Sequence, residues 1–208
     1  MQGVRKVNWP LDFARLGMLN GREVALVANG PGPKLARGAV DVVKEHETME
    51  ALISTGFCGA LANSLQACDI FVATEVVGVA PSLAPGGKQR FQSGRLLSLD
   101  RVVSSAAEKS ELRSRAEAVE MEAAAVAQRA REWNLPFYAV RVISDTAQED
   151  LPLDFNRMRF SDGHFSRAKI TAAALLRPRT VLPGLIELNR RTKLAALALG
   201  DFLADARF

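Results

Sequence analysis

Cysteine is nearly absent from this chain. Cys58 and Cys68 are the only two, both in apolar surroundings and neither in a CxxC or Cys/His spacing. That pattern argues against a metal site and for reduced thiols in a cytoplasmic setting. No apolar run approaches the roughly 20 residues of a membrane span. The opening MQGVRKVNWP carries basic residues with no apolar core behind them, unlike a signal peptide. The Walker and dinucleotide fingerprints are both missing. No internal repeat or low-complexity segment occurs, and no aromatic residues interleave with basic ones as in a nucleic-acid-binding surface. What remains is ordinary for a globular protein: 208 residues, 48% hydrophobic and 24% charged. Such a length supports one domain, 1–208, with a full core.

Charge is unevenly placed. From Leu151 onward ten Lys/Arg face five Asp/Glu, a net +5 within a total of +4. A basic segment of this kind is either a solvated helix face or a contact for an anionic surface. The helix expected at about 185–206 sets Leu188, Leu199 and Phe202 beside Arg190, Arg191 and Lys193, a pattern open to peripheral membrane contact.

Strands and helices alternate along the chain. EVALVA (23–28) is a continuous apolar run, as in a strand covered on both faces. NGPGP (29–33) then opens a helix over 34–46. ALIST (51–55) reads as a second strand, closed by GFCG (56–59). DIFVATEVVGV (69–79) reads as a third. A mobile loop is expected at 81–92, with Gly86 and Gly87, and another strand at 95–103. Alanine is the best helix former, so AAAVAQRAR predicts a helix over 123–131. PFYAVRVIS (136–144) is the clearest buried strand. Two helices with a Pro-rich joint at 177–184 complete the chain. This alternation indicates an α/β layer fold with ligands at the carboxyl ends of strands.

Three strand ends carry candidate chemistry: the glycines Gly30 and Gly32, the stretch TGFCGA (55–60), and ISDT (143–146). Glycine there lets backbone approach a ligand closely. Asp145 ends a strongly apolar strand. It either caps the next turn or is a desolvated carboxyl raised toward a general acid's range. Glu120 and Glu122 flank Met121 where an apolar helix begins. They answer either to the helix dipole or to a ligand rich in hydroxyl donors.

Taken in order, TGFCGAL, CDIFVATEV, VEMEAAAVA and PFYAVRVISD resemble the nucleoside phosphorylase and nucleosidase superfamily. That family includes purine nucleoside phosphorylases and methylthioadenosine/S-adenosylhomocysteine nucleosidases. The segments LPLDFNRMR and LPGL are similar, more loosely, to its hopanoid-associated branch, which is thought to remove adenine from adenosylhopane. The resemblance implies a three-layer α/β fold with a central twisted mixed sheet, here expected to lack the family's first strand. It implies cleavage of a purine N-glycosidic bond. Glu122 would accept hydrogen bonds from the ribose hydroxyls, with Met121 against the sugar and Glu120 nearby. Asp145 would protonate N7 of the base, oriented by Ser144. Phe57, Cys58 and Gly59 would line the pocket. Phosphorylases place an Arg and a Ser around the glycine stretch, where this chain has Ser54 and Phe57. Hydrolysis is therefore expected, with phosphate a co-substrate only in the phosphorylase alternative and no other cofactor. Nucleosidases take a water-activating glutamate from the loop after the first strand, and Asp12 does not align with it. A nucleoside-binding protein without turnover is accordingly the rival from another class. A small-molecule nucleoside, a homo-oligomer, no nucleic acid and a cytoplasmic location complete the expectations.

Overall fold

The computed structural model describes residues 1–160, 162–176, 178–179 and 181–208. The chain opens with an antiparallel meander of β1 (Gln2–Lys6), β2 (Phe13–Leu19) and β3 (Arg22–Ala28). Asn20 and Gly21, both at positive φ, form the two-residue turn between β2 and β3. An Asn-Gly pair suits the hairpin turns whose twist matches the strands. Here the structure corrects the reading of 23–28. β3 pairs only with β2, lies outside the central sheet, and is exposed or half-buried along its length. Its apolar residues line a cavity instead of being sandwiched between two layers. β1 and β2 are strands that the sequence reading did not draw.

The central sheet follows. Helix α1 (Pro33–His46) has proline in its first turn and Lys44 and His46 in its last, the polarity that a helix dipole favours. The sheet comprises β4 (Leu52–Ala60), β5 (Ile70–Val76), β6 (Ala80–Pro81), β7 (Gln92–Ser98), β8 (Ala118–Glu120) and β9 (Phe137–Asp145). Between them run α2 (Ala106–Leu112), between β7 and β8, and α3 (Ala123–Glu132), between β8 and β9. After β9 come a 3₁₀ turn at Phe155–Met158, α4 (Arg167–Leu176) and α5 (Val181–Asp205). The strand order is β6-β5-β7-β8-β4-β9, and β9 also pairs with β5, so the sheet closes on itself. β5, β7 and β8 run parallel, as do β4 and β9, and the β4–β8 and β5–β9 seams are antiparallel. Closure removes the unpaired edges that an open sheet would expose.

Helices cover both faces. Val40 of α1 and Ala123, Val126, Ala127 and Ala130 of α3 pack with Phe71, Leu96, Ala118, Ala139 and Ile143. On the other side, Ala195, Leu199 and Phe202 of α5 pack with Val72, Val140 and Val142. The expected α/β architecture with a central mixed sheet is thus the observed one.

Several boundaries moved. β4 runs on through GFCGA instead of closing at Thr55. The strand expected at 95–103 stops at Ser98, and α2 begins at Ala106, capped by Ser105, whose Oγ accepts from the Glu108 amide. The loop 81–92 is tied down: Gly86 and Arg207 exchange two backbone hydrogen bonds of 2.8 Å, and Gln89 donates to Asp205. Pro183 and Gly184 lie inside α5, so the joint between the last helices is shorter than expected. Arg177 and Thr180 of that joint lie outside the described residues.

Candidate active site

A cavity of about 1510 Å³ lies between the meander, α1, β4 and α5. Phe57, Cys58, Gly59, Glu120, Met121, Glu122, Ser144 and Asp145 all line it. The topology explains the convergence. β8 and β9 run in opposite directions on either side of β4, but both end beside Cys58 and Gly59, so Met121-Glu122 and Ser144-Asp145 meet at one point of the sheet. Loop 81–92 contributes nothing to the lining.

The two glutamates are treated very differently. Glu120 is buried, and its oxygens accept from the amides of Glu122 and Ala123, from Ser98 Oγ and from Arg141 Nη2. It therefore caps α3 and neutralises an arginine, and its acceptor capacity is used inside the protein. Glu122 occupies the N-cap position of α3 without capping it. Its Oε1 accepts from the Gly32 amide at 2.7 Å. Burial pushes the Glu122 carboxyl above its ordinary value; Arg141 opposes this and Glu120 adds to it.

The glycine loop that grips Glu122 is itself clamped. Gly32 has φ 101°, and a Cβ there would collide with Arg159 Nη2. Arg159 donates to Pro31 O, Gly163 O and Asp100 Oδ1. Arg159 belongs to the LPLDFNRMR segment, whose structural role the sequence did not reveal.

Asp145 is 6% exposed. Ser144 Oγ donates to its Oδ1 at 2.6 Å and also lies 3.1 Å from Cys58 O. Lys109 Nζ donates to Oδ2 at 2.6 Å. The sequence suggested an apolar surrounding alone; the structure puts an ion pair there. Gly59 makes room for it, since a Cβ at that position would lie 3.0 Å from Oδ2. Cys58 is fully buried, and burial pushes its thiol far above the ordinary range, so it serves as packing and not as a nucleophile.

Two charged residues escaped the sequence reading. Lys109 stands among ordinary surface-type residues in AAEKSEL, with no local signal that it turns inward. Arg141 lies within PFYAVRVIS, and its charge inside an apolar strand was the available signal. It is 2% exposed, lines the cavity, and donates from Nη2 to Ser54 Oγ at 2.6 Å as well as to Glu120. Its Nε and Thr55 Oγ1 have no partner among the described residues. Gly56, at φ 148°, keeps β4 clear of it: a Cβ there would lie 2.9 Å from Arg141 Nη1. Asp12 is remote from this chemistry, lying outside the cavity lining and 3.1 Å from His164. Among the described residues, no group of three or more His, Cys, Asp or Glu is arranged to hold a metal ion.

Comparison with known proteins fixes the family. The family model for the phosphorylase superfamily matches residues 11–88 and 78–178. The chain belongs to the phosphorylase superfamily. A 5′-methylthioadenosine/S-adenosylhomocysteine nucleosidase of Bacillus cytotoxicus is 29% identical over 175 residues, 68% of this chain and 76% of the relative. Among solved structures, S-adenosylhomocysteine nucleosidase from Streptococcus pyogenes, in complex with 5-methylthiotubericidin, superposes with a TM-score of 0.63. It is 23% identical, with 97% of this chain and 87% of that one covered. The S. pneumoniae 5′-methylthioadenosine/S-adenosylhomocysteine nucleosidase with the transition-state inhibitor MT-ImmA also gives 0.63. Its identity is 22%, over 98% and 90% of the two chains. At these identities the structural matches establish a shared fold.

Proposed function

We propose that this chain hydrolyses the N-glycosidic bond of a purine nucleoside, with adenine as the base and a large apolar group at the 5′ carbon. The observation that carries the reading is one cavity presenting Met121-Glu122 and Ser144-Asp145 together. Glu122 keeps one oxygen for the Gly32 amide, and its carboxylate accepts from the ribose 2′- and 3′-hydroxyls, a charge-assisted pairing. Met121 packs on the sugar. Asp145 gives its proton to N7, the base leaves neutral, and water completes the reaction at C1′. Phe57, Cys58 and Gly59 wall the pocket, and Glu120 acts from below by fixing the start of α3. The names of the matched nucleosidases support the adenine assignment.

Two features favour hydrolysis over phosphorolysis. Arg141 is already paired with Glu120 and Ser54, and Ser54 and Phe57 stand where phosphorylases resemble one another in carrying Arg and Ser. Base release without phosphate tests this choice.

Cavity size supports the 5′ group. At about 1510 Å³ it exceeds the roughly 300–1,000 Å³ of ordinary ligand sites. Its lining includes the apolar Leu26, Val40, Val43, Met49, Leu203 and Phe208. Adenosylhopane, from the looser hopanoid resemblance, is the candidate substrate. No described helix is long and apolar enough to cross a membrane. α5 does expose Leu182, Ile186, Leu194 and Leu197 beside Arg190 and Lys193, a combination suited to peripheral contact with anionic lipid. Liposome co-sedimentation should show binding to anionic vesicles at low salt that weakens at moderate salt. No sedimentation at low salt would remove membrane contact from the account. The assembly expected is a homo-oligomer, read out by light scattering.

Glu122 supplies a pH signature. The carboxylate, not the acid, accepts two hydroxyl donors, and its protonation sets in above the ordinary 4.5. KM for the nucleoside should therefore rise on mild acidification, earlier than for an exposed glutamate. Glu122→Gln should flatten that rise at a high KM. A wild-type KM that stays constant through that range would contradict the role.

A further inference from the structure

We propose that Lys109 is a positioning residue for Asp145, and that its ammonium stabilises the carboxylate that forms as the proton passes to the departing base. The proposal rests on the reading above that Asp145 is the proton donor. Lys109 is completely buried. Its Nζ donates to Asp145 Oδ2 at 2.6 Å, Thr146 O at 2.8 Å and Glu149 O at 2.8 Å. Three acceptors match the three donors of an ammonium, so the group has none left over for a ligand.

Stability alone is a weak reason for this arrangement. Buried ion pairs seldom stabilise a fold more than well-packed apolar residues would. This one touches an oxygen of the single carboxylate placed to meet the base.

The geometry divides the work between the two oxygens. Oδ2 is occupied by Lys109. Oδ1 faces Ser144 Oγ, whose one proton points to Oδ1 when Asp145 is ionised and to Cys58 O when Oδ1 carries the proton. In the reaction the proton leaves Oδ1 for N7 and the C1′–N9 bond breaks with its electron pair going to the base. Negative charge grows on Asp145 beside an ammonium already in place. Preorganised charge of this kind acts on the transition state. Water then adds to the cationic C1′, and the proton it sheds on bonding restores Asp145. Lys109 also ties Asp145 to the turn that leads to Glu149, which is held in turn by Arg191 of α5.

A comparison of leaving groups tests this. Wild type, Lys109→Met, Lys109→Arg and Asp145→Asn, all full-length, are assayed on 5′-methylthioadenosine and on 4-nitrophenyl riboside. The nitrophenolate departs without needing a proton. Lys109→Met should lose about 10²-fold in kcat on the adenine nucleoside, with KM changed far less. On the nitrophenyl riboside the loss should stay within about threefold, and Lys109→Arg should restore part of the adenine activity. Equal losses on both substrates, or no loss on either, would overturn the proposal. If Lys109→Met fails to give a cooperative melt, Lys109→Arg carries the same comparison, with a smaller adenine-selective loss expected. Asp145→Asn separates the two claims. If it loses adenine activity selectively and the Lys109 variants do not, only the lysine proposal falls. If Asp145→Asn loses neither activity, or wild type releases no adenine, both readings fall.

Discussion

Asp145→Asn should lower the rate of adenine release by about 10²–10⁴-fold, the usual contribution of a positioned general acid. Asparagine keeps the size of the side chain and its contact with Ser144 but has no acidic proton to give. The change also leaves the buried Lys109 ammonium, held at 2.6 Å from this side chain, without the carboxylate it faces whenever Asp145 is ionised. Some loss of stability is therefore expected beside the loss of rate, and kcat is to be compared at a temperature where both proteins are folded. KM should move much less than kcat, because the base is held by the pocket walls in the ground state and by Asp145 chiefly in the transition state. Full activity of the variant on every nucleoside that wild type cleaves would remove Asp145 from the mechanism. A preference for uridine would do the same, since a pyrimidine has no N7 to protonate.

Arg141→Met should be the most damaging substitution for stability near the site. The side chain is almost wholly buried, and its partner Glu120 is equally enclosed. Removing one member of such a pair leaves the other as an uncompensated buried charge, at a cost of about 3–5 kcal/mol. For a chain of this size that corresponds to a melting temperature lower by roughly 10 °C. Adding Glu120→Gln to Arg141→Met should recover part of the loss, because the stranded charge is then gone and the amide still accepts from the start of α3. Non-additivity of that sign is the mark of a coupled pair. A double variant less stable than the sum of the single ones would contradict the account. Thermal melts of the three proteins decide the matter.

How much of this was legible beforehand depends on the physics of each segment. α3 and β9 were placed within a residue or two, because an alanine run and an unbroken apolar run each favour one structure. β3 was legible as a strand but not in its location. EVALVA reads alike whether its faces meet two layers of protein or one layer and a cavity. α2 was hidden because seven residues give too short a period to stand out. The closure of the sheet through β5 and β9 is a long-range pairing with no local sequence signature. At the site, Glu122 and Asp145, which the fold brings to one cavity, were readable as candidates through their motifs. Lys109 was not, since a lysine in AAEKSEL has the same neighbours whether it points to water or into the protein. Arg141 was visible as a charge in an apolar strand, yet its pairing with Glu120 depends on the approach of β8 to β4 and β9, which only the fold reveals.

The central claim is hydrolysis of an adenine nucleoside at the cavity holding Glu122 and Asp145. It is tested most directly by following free adenine from 5′-methylthioadenosine and adenosylhopane in phosphate-free buffer, with calorimetry of the same mixtures. The account predicts catalytic release of adenine without phosphate, abolished or nearly so in Asp145→Asn. Binding heat with no adenine released would show a nucleoside-binding protein, and release only on adding phosphate would show a phosphorylase; either result contradicts the account.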